Sequence, residues 1–244
     1  MIKGTYTKTK IKNGLIFKKI KPNSKAEKII WNKLIENVDV NQYIKDISNY
    51  INIPSVCVYE KSQVKQSFIF GLNIDEYLMK IDIKNDRVLK VFEELVKIYK
   101  NIRTNNTLTI DFNLMNFIVD KDDKIIYIDV TPPLYLKNIK TLDDRFKSQR
   151  ELFLNKPLQL ISFVMYFIMP FILKKNLKSQ IKILFKKMLD IMKKLDVIAD
   201  FSKKYDHIFY KRKELFLEYL NRNIDNFDKK FVSFDIKNDL NLVE

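Results

Sequence analysis

Three glycines are spread over 244 residues. The backbone therefore has few places where a positive φ costs little, and chain reversals must concentrate where turn-forming residues fall together. Asn13-Gly14 is such a place. It supplies the two positive-φ residues of a tight type I′ turn between Thr5-Tyr-Thr-Lys-Thr-Lys-Ile-Lys12 and Leu15-Ile-Phe-Lys-Lys-Ile20, runs of β-formers that alternate well enough to pair. The spacing predicts a β-hairpin over residues 5–20. With six prolines and no Gly/Ser-rich or Pro-rich stretch, collagen-like and linker readings are excluded.

After the hairpin the period changes. Ser24, three residues before Glu27, forms a capping box, and Ile29, Ile30, Trp31 and Leu34 give an apolar stripe, so a helix is expected to about Asn37. A second short helix over Val40 to Ile51 and two strands, Pro54 to Tyr59 and Gln66 to Gly71, follow. From Asn85 to Arg103, Val88, Leu89, Val91, Phe92, Leu95, Val96, Ile98 and Tyr99 share a broad helical face, which predicts a helix buried on one side. A second hairpin is expected from Phe117 to Asp129 around Lys121-Asp-Asp-Lys124, and helices from Pro133 to about residue 224.

Length and composition set the outer limits. The chain suits one domain or two closely packed lobes, and 46% hydrophobic residues suffice for a core. Cys57 is the single cysteine, and the opening Met1-Ile-Lys-Gly-Thr-Tyr6 reads as neither a signal nor a transit peptide, so a reducing cytoplasm is the expected setting. The net charge of +15 would suit a nucleic-acid or anionic-membrane partner. The lysines run from Lys3 to Lys237 without clustering, which argues against a dedicated nucleic-acid function.

The chemistry-bearing residues are Asp111-Phe-Asn-Leu-Met-Asn116 and, beyond a short hairpin, Asp129. Phosphoryl transfer from ATP needs a carboxylate to orient the acceptor hydroxyl and oxygen ligands to hold magnesium on the phosphates. The order Asp111-x-x-x-x-Asn116 and then Ile125-Ile-Tyr-Ile-Asp129 resembles the catalytic loop and metal-binding strand of the protein-kinase-like superfamily. The resemblance implies an α+β, two-lobed fold, with a small antiparallel-sheet nucleotide-binding lobe over 1–80 and a mainly helical lobe over 81–244 that carries the catalytic segment 107–133.

It implies roles as well. Asp111 would orient or take the acceptor proton, and Asn116 and Asp129 would bind magnesium. Lys18, with Lys19 as the alternative, would pair with the ATP phosphates and be held by Glu27, with Glu36 as the alternative. Gly4 would stand in the shortened phosphate loop. Phe70, in Phe68-Ile-Phe-Gly71, would lie in the hinge that passes the adenine. The expected cofactors are ATP and Mg²⁺.

Several departures narrow the branch. Thr109 stands where a histidine is usual, Gly4 is all that is left of a glycine-rich loop, and Asp129-Val-Thr131 with two following prolines replaces Asp-Phe-Gly. A regulated activation loop is not expected. These traits are similar to the aminoglycoside-phosphotransferase and choline-kinase branch, which implies a small-molecule, sugar or lipid-linked acceptor. The same departures admit a kinase-like nucleotide-binding or interaction module without catalysis, and the charge admits a basic membrane- or RNA-binding protein.

The most apolar run, Pro157 to Leu173, is shorter than the roughly twenty residues a bilayer needs and contains Gln159, Ser162 and Pro170, so it reads as a buried helix. Leu177 to Leu195 alternates apolar and basic positions at helical spacing, a solvated face with peripheral contact to an anionic membrane as the alternative. His207, the one histidine, has no companion for a transition-metal site or a catalytic triad.

Overall fold

Asn13 and Gly14 take φ of 50° and 70°, the pair of positive values that a type I′ turn requires. The turn closes β1 (Thr7–Lys12) onto β2 (Leu15–Ile20) with Lys12 opposite Leu15. The computed structural model describes residues 7–20, 25–144, 147–154, 156–173 and 178–197. Gly4, Ser24, His207 and the helical expectation beyond residue 197 lie outside the described residues.

The expected strands 54–59 and 66–71 are displaced. They form as β3 (Cys57–Glu60) and β4 (Gln63–Ser67), paired antiparallel around Lys61 and Ser62. Those two residues adopt φ of 49° and 60°. A tight turn built on lysine and serine carries none of the Asn or Gly signal that marks such turns, so register could not be set from sequence. The four strands make an antiparallel sheet in the order β1-β2-β4-β3.

Two helices lie between the hairpins, α1 (Lys25–Ile35) and α2 (Val40–Ser48). Asp39 caps α2, its Oδ1 accepting from Asn41 N–H at 2.9 Å and Gln42 N–H at 3.2 Å. The apolar stripes then bury Trp31, Leu34, Tyr43, Ile44 and Ile47. Beyond α1, Asn138 donates from Nδ2 to the carbonyls of Lys33 and Glu36 at 3.1 and 2.9 Å, satisfying acceptors that a helix end leaves open.

A second sheet, in the order β5-β6-β7, is made by Gly71–Asn73, Phe117–Asp120 and Ile125–Tyr127. The sequence predicted its hairpin but assigned Gly71 to the first sheet. At Gly71 the reason for glycine is contact: an added Cβ would lie 2.2 Å from the Val119 carbonyl oxygen and 2.6 Å from Ile118 Cγ2. Gly71→Ala is therefore expected to lower stability by about 1–3 kcal/mol, read as the urea midpoint at unchanged slope. A midpoint equal to wild type would show that β6 yields freely.

The remaining helices are α3 (Ile74–Lys80), α4 (Asp86–Arg103), α5 (Leu136–Lys140), α6 (Lys147–Leu154), α7 (Lys156–Leu173) and α8 (Lys178–Lys194). The chain is thus a mixed α+β protein with antiparallel sheets. It divides into two compact units, Met1–Ile74 with Ile98–Leu154, and Asp75–Lys97 with Asn155–Glu244. Within the second, Phe92 of α4 stacks on Phe163 at 5.5 Å and meets Phe167 edge-on at 5.1 Å, and Leu160, Ile168 and Phe171 are buried. These contacts account for the apolarity of 157–173 as core packing. Among the described residues no helix is long and apolar enough to cross a membrane.

Candidate functional site

The first unit brings together residues that are 93 to 111 positions apart in sequence, measured from Lys18 to Asp111 and Asp129. Lys18 lies in the middle of β2, opposite Val64 of β4. Its side chain leaves the sheet and Nζ donates to the Ile128 carbonyl at 2.6 Å, one residue before Asp129. Burial pulls the Lys18 pKa below its usual value, while the charge of Asp129 acts in the opposite direction. Lys19, by alternation, projects from the other face and is exposed.

The segment that carries Asp111 is anchored at several points. Tyr43 OH donates to the Thr109 carbonyl at 2.9 Å, and Thr109 N–H donates to Leu134 O at 2.9 Å. Thr109 is thus buried and held through its main chain. Asp111 N–H donates to Tyr127 OH at 3.3 Å, and one carboxylate oxygen of Asp111 accepts from Asn113 N–H at 3.0 Å. Asn113 in turn caps a one-turn 3₁₀ helix over Leu114–Asn116.

That turn delivers Asn116 back to Asp111. Asn116 Nδ2 donates to the Asp111 carbonyl at 3.4 Å, and the Asn116 side chain also bonds the Asp111 carboxylate. The Asn116 carbonyl accepts from Ile128 N–H at 2.8 Å, which holds the Asn116 backbone beside the strand end bearing Asp129. With its amide nitrogen turned to Asp111, Asn116 presents Oδ1 as an oxygen donor.

Both carboxyls are harder to ionise than usual. Burial raises the Asp111 pKa, partly offset by the Asn113 N–H and the Asn116 amide. Asp129 is pushed up to about 6, chiefly by burial although part of its surface remains accessible; Lys18 opposes the shift and the Asp111 charge adds to it. The site therefore sets Lys18 beside Asp129 and Asp129 near Asp111, with burial disfavouring the charge on each. Cys57, pushed up to about 11 by burial with Lys18 acting against, stays a thiol there at neutral pH.

Not every expected residue joins this cluster. Phe70 is 78% exposed and packs edge-on against Phe68 at 4.8 Å. Glu36 pairs with Lys33 on the surface at 3.0 Å. Glu27 belongs to α1, but its side chain lies outside the described residues, as does Gly4. Among the described residues no group of three or more His, Cys, Asp or Glu is arranged for a metal. An amide oxygen with one carboxylate, as at Asn116 and Asp129, is a donor set that suits magnesium only when phosphates supply further ligands.

Sequence reasoning missed Gln66. It shares the Lys18 face of the sheet, opposite Ile16 and Cys57, and is fully buried, yet neither Nε2 nor Oε1 has a hydrogen-bond partner among the described residues. The alternation of β4 would have exposed it had the strand been placed correctly. Gln66→Leu, which removes an uncompensated buried amide at similar volume, is expected to raise stability by about 1–3 kcal/mol in urea titration; a loss of stability would show that the amide is satisfied in solution. No protein-family model matches the chain, and no curated protein is significantly similar to it.

Proposed function

We propose that this chain is an ATP- and magnesium-dependent phosphotransferase of the kinase-like type, transferring the γ-phosphate to a hydroxyl of a small molecule, sugar or lipid head group. The observation that carries the reading is the meeting of Lys18, from the middle of β2, with Asp111, Asn116 and Asp129, which flank the β6–β7 hairpin, the Lys18 ammonium lying 2.6 Å from the carbonyl preceding Asp129. The accompanying fold reading is a two-lobed kinase-like domain.

In this reading Asn116 Oδ1 and the Asp129 carboxylate would hold magnesium, whose charge would offset that of the phosphates. Lys18 pairs with the phosphates. Asp111, fixed by Asn113 and Asn116, orients the acceptor hydroxyl and takes its proton; its raised pKa makes it a stronger base than a solvated aspartate. The segment after Asp129 is pinned, since Val130 and Thr131 are 1% and 3% exposed. That suits a site assembled permanently rather than switched by an activation loop.

The test is ADP release from Mg-ATP across a panel of sugars, amino alcohols and lipid head-group alcohols. Release that depends on both acceptor and divalent cation is expected. Slow turnover unaffected by any acceptor would favour a nucleotide-binding module without transfer, the reading to which Thr109 and the lost phosphate-loop glycines point.

A further inference from the structure

The four-stranded sheet has two faces, and the candidate site uses one. Directly opposed residues in an antiparallel ladder project to the same side. On the side away from Lys18, Lys10, Phe17, Lys65 and Val58 form a row that crosses all four strands. Lys12, Leu15 and Ser67 form the next row, and Lys19, Gln63 and Glu60 the row beyond. In β4 the residues of this side, Gln63, Lys65 and Ser67, remain partly accessible, whereas Val64 and Gln66 on the other are fully buried. The charge that looked evenly spread along the sequence is gathered here by register.

Lys10, Lys12 and Lys19 are exposed, and neither they nor Lys65 forms an ion pair among the described residues. Leu15, Phe17 and Val58 lie between and beside them, each keeping part of its surface accessible. Glu60, at the far corner, is the acidic residue of these rows. We propose that this outer sheet face docks on an anionic phospholipid membrane, with the lysines in the head-group layer and Phe17, Leu15 and Val58 toward the acyl boundary.

The composition of the face selects lipid over nucleic acid. A single-strand-binding platform needs several rings on which successive bases stack, and this face offers one ring among aliphatic side chains. Its cations are all lysines, point charges that lie on stems able to reach past an apolar patch to a charged interface, rather than planar guanidinium groups that stack or fork on bases. A negatively charged membrane attracts such a surface with roughly a five-fold gain in affinity for each lysine near it. None of these residues belongs to the proposed phosphotransfer site, so the surface stands independently of that reading.

The experiment is co-sedimentation of the full chain with phosphatidylcholine vesicles, with and without phosphatidylserine. Wild type is expected to bind the phosphatidylserine vesicles and to be released by salt, because exposed charges are screened. The triple variant Lys10→Gln, Lys12→Gln, Lys65→Gln is expected to bind on the order of a hundred-fold more weakly. A variant of equal charge, Lys186→Gln, Lys187→Gln, Lys193→Gln on exposed positions of α8, is expected to keep most of the binding. Equal losses in the two variants would reduce the effect to net charge and overturn the proposal. So would vesicle binding that the sheet variant leaves intact, or binding of single-stranded RNA, but not vesicles, through the same three lysines. Phe17→Trp supplies a second readout: its emission should shift to the blue on phosphatidylserine vesicles, and an unshifted spectrum with bound protein would contradict docking through this face.

Discussion

Asp111→Ala is expected to bind Mg-ATP as the wild type does and to turn it over about 10²- to 10⁴-fold more slowly, the range a positioned general base contributes. The carboxylate accepts from Asn113 and Asn116 and is not itself one of the proposed magnesium or phosphate ligands, so binding should survive its loss. Asp129→Ala is expected to behave in the opposite order. It removes one of the two proposed magnesium ligands, and the stabilisation by Mg-ATP, roughly 3 kcal/mol at about a hundred times the dissociation constant and several degrees in Tm, should vanish. Melting curves with and without Mg-ATP, run beside an ADP-release assay, separate the two roles. Unchanged turnover in both variants would discard the phosphotransfer reading.

Asp129→Asn is expected to make the protein more stable in the absence of divalent cation, the reverse of what most buried substitutions do. The folded protein holds the Asp129 pKa at about 6, above the ordinary 3.8, so the folded state binds its proton more tightly than the unfolded chain. A raised carboxyl pKa contributes stability that is fully present below about pH 4 and is lost as pH rises through about 6. At pH 7.5 the ionised carboxylate therefore costs up to roughly 3 kcal/mol, about two pKa units, with the opposing attraction of Lys18 already included. An amide of the same shape avoids that cost. The gain over wild type in urea titrations should be small at pH 4.5 and largest above pH 7. A stability gap that did not grow with pH would show that Asp129 ionises as it would in water. A stability cost of this kind is the trade-off expected at a position kept for function rather than for folding.

The parts of the fold that rest on strong local signals were legible in the sequence. Asn13-Gly14 predicted the first hairpin because a type I′ turn admits few residue pairs, and the Val88-to-Tyr99 stripe predicted α4 because a one-sided apolar face has a single helical solution. The β3–β4 turn was not legible. Lys61-Ser62 takes positive φ only because the flanking strands compel it, and tertiary pairing overrides local preference there. The error propagated: with β4 misplaced, Gln66 could not be assigned to the Lys18 face, and Gly71 was left in the wrong sheet.

The site was legible to the extent that its residues follow one another closely. Asp111, Asn116 and Asp129 are joined by a 3₁₀ turn and a hairpin, short connections that bring them together almost regardless of the remainder of the chain. The choice between Lys18 and Lys19 depended on strand register, which sequence left open; the β2–β4 pairing puts Lys18 on the face beside Ile128 and Lys19 on the other. Glu36 was the second choice of partner by sequence, after Glu27, and it pairs with Lys33 on the surface. Phe70, expected beside the adenine, is an exposed ring whose packing partner is Phe68.

The most direct test of the central claim is a crystal of the protein grown with magnesium and a non-hydrolysable ATP analogue. A magnesium ion within about 2.1 Å of Asn116 Oδ1 and an Asp129 carboxylate oxygen, bridging to phosphate oxygens with Lys18 Nζ alongside, is the predicted result. Nucleotide bound elsewhere, or bound here with Asn116 and Asp129 turned away from the metal, would contradict it.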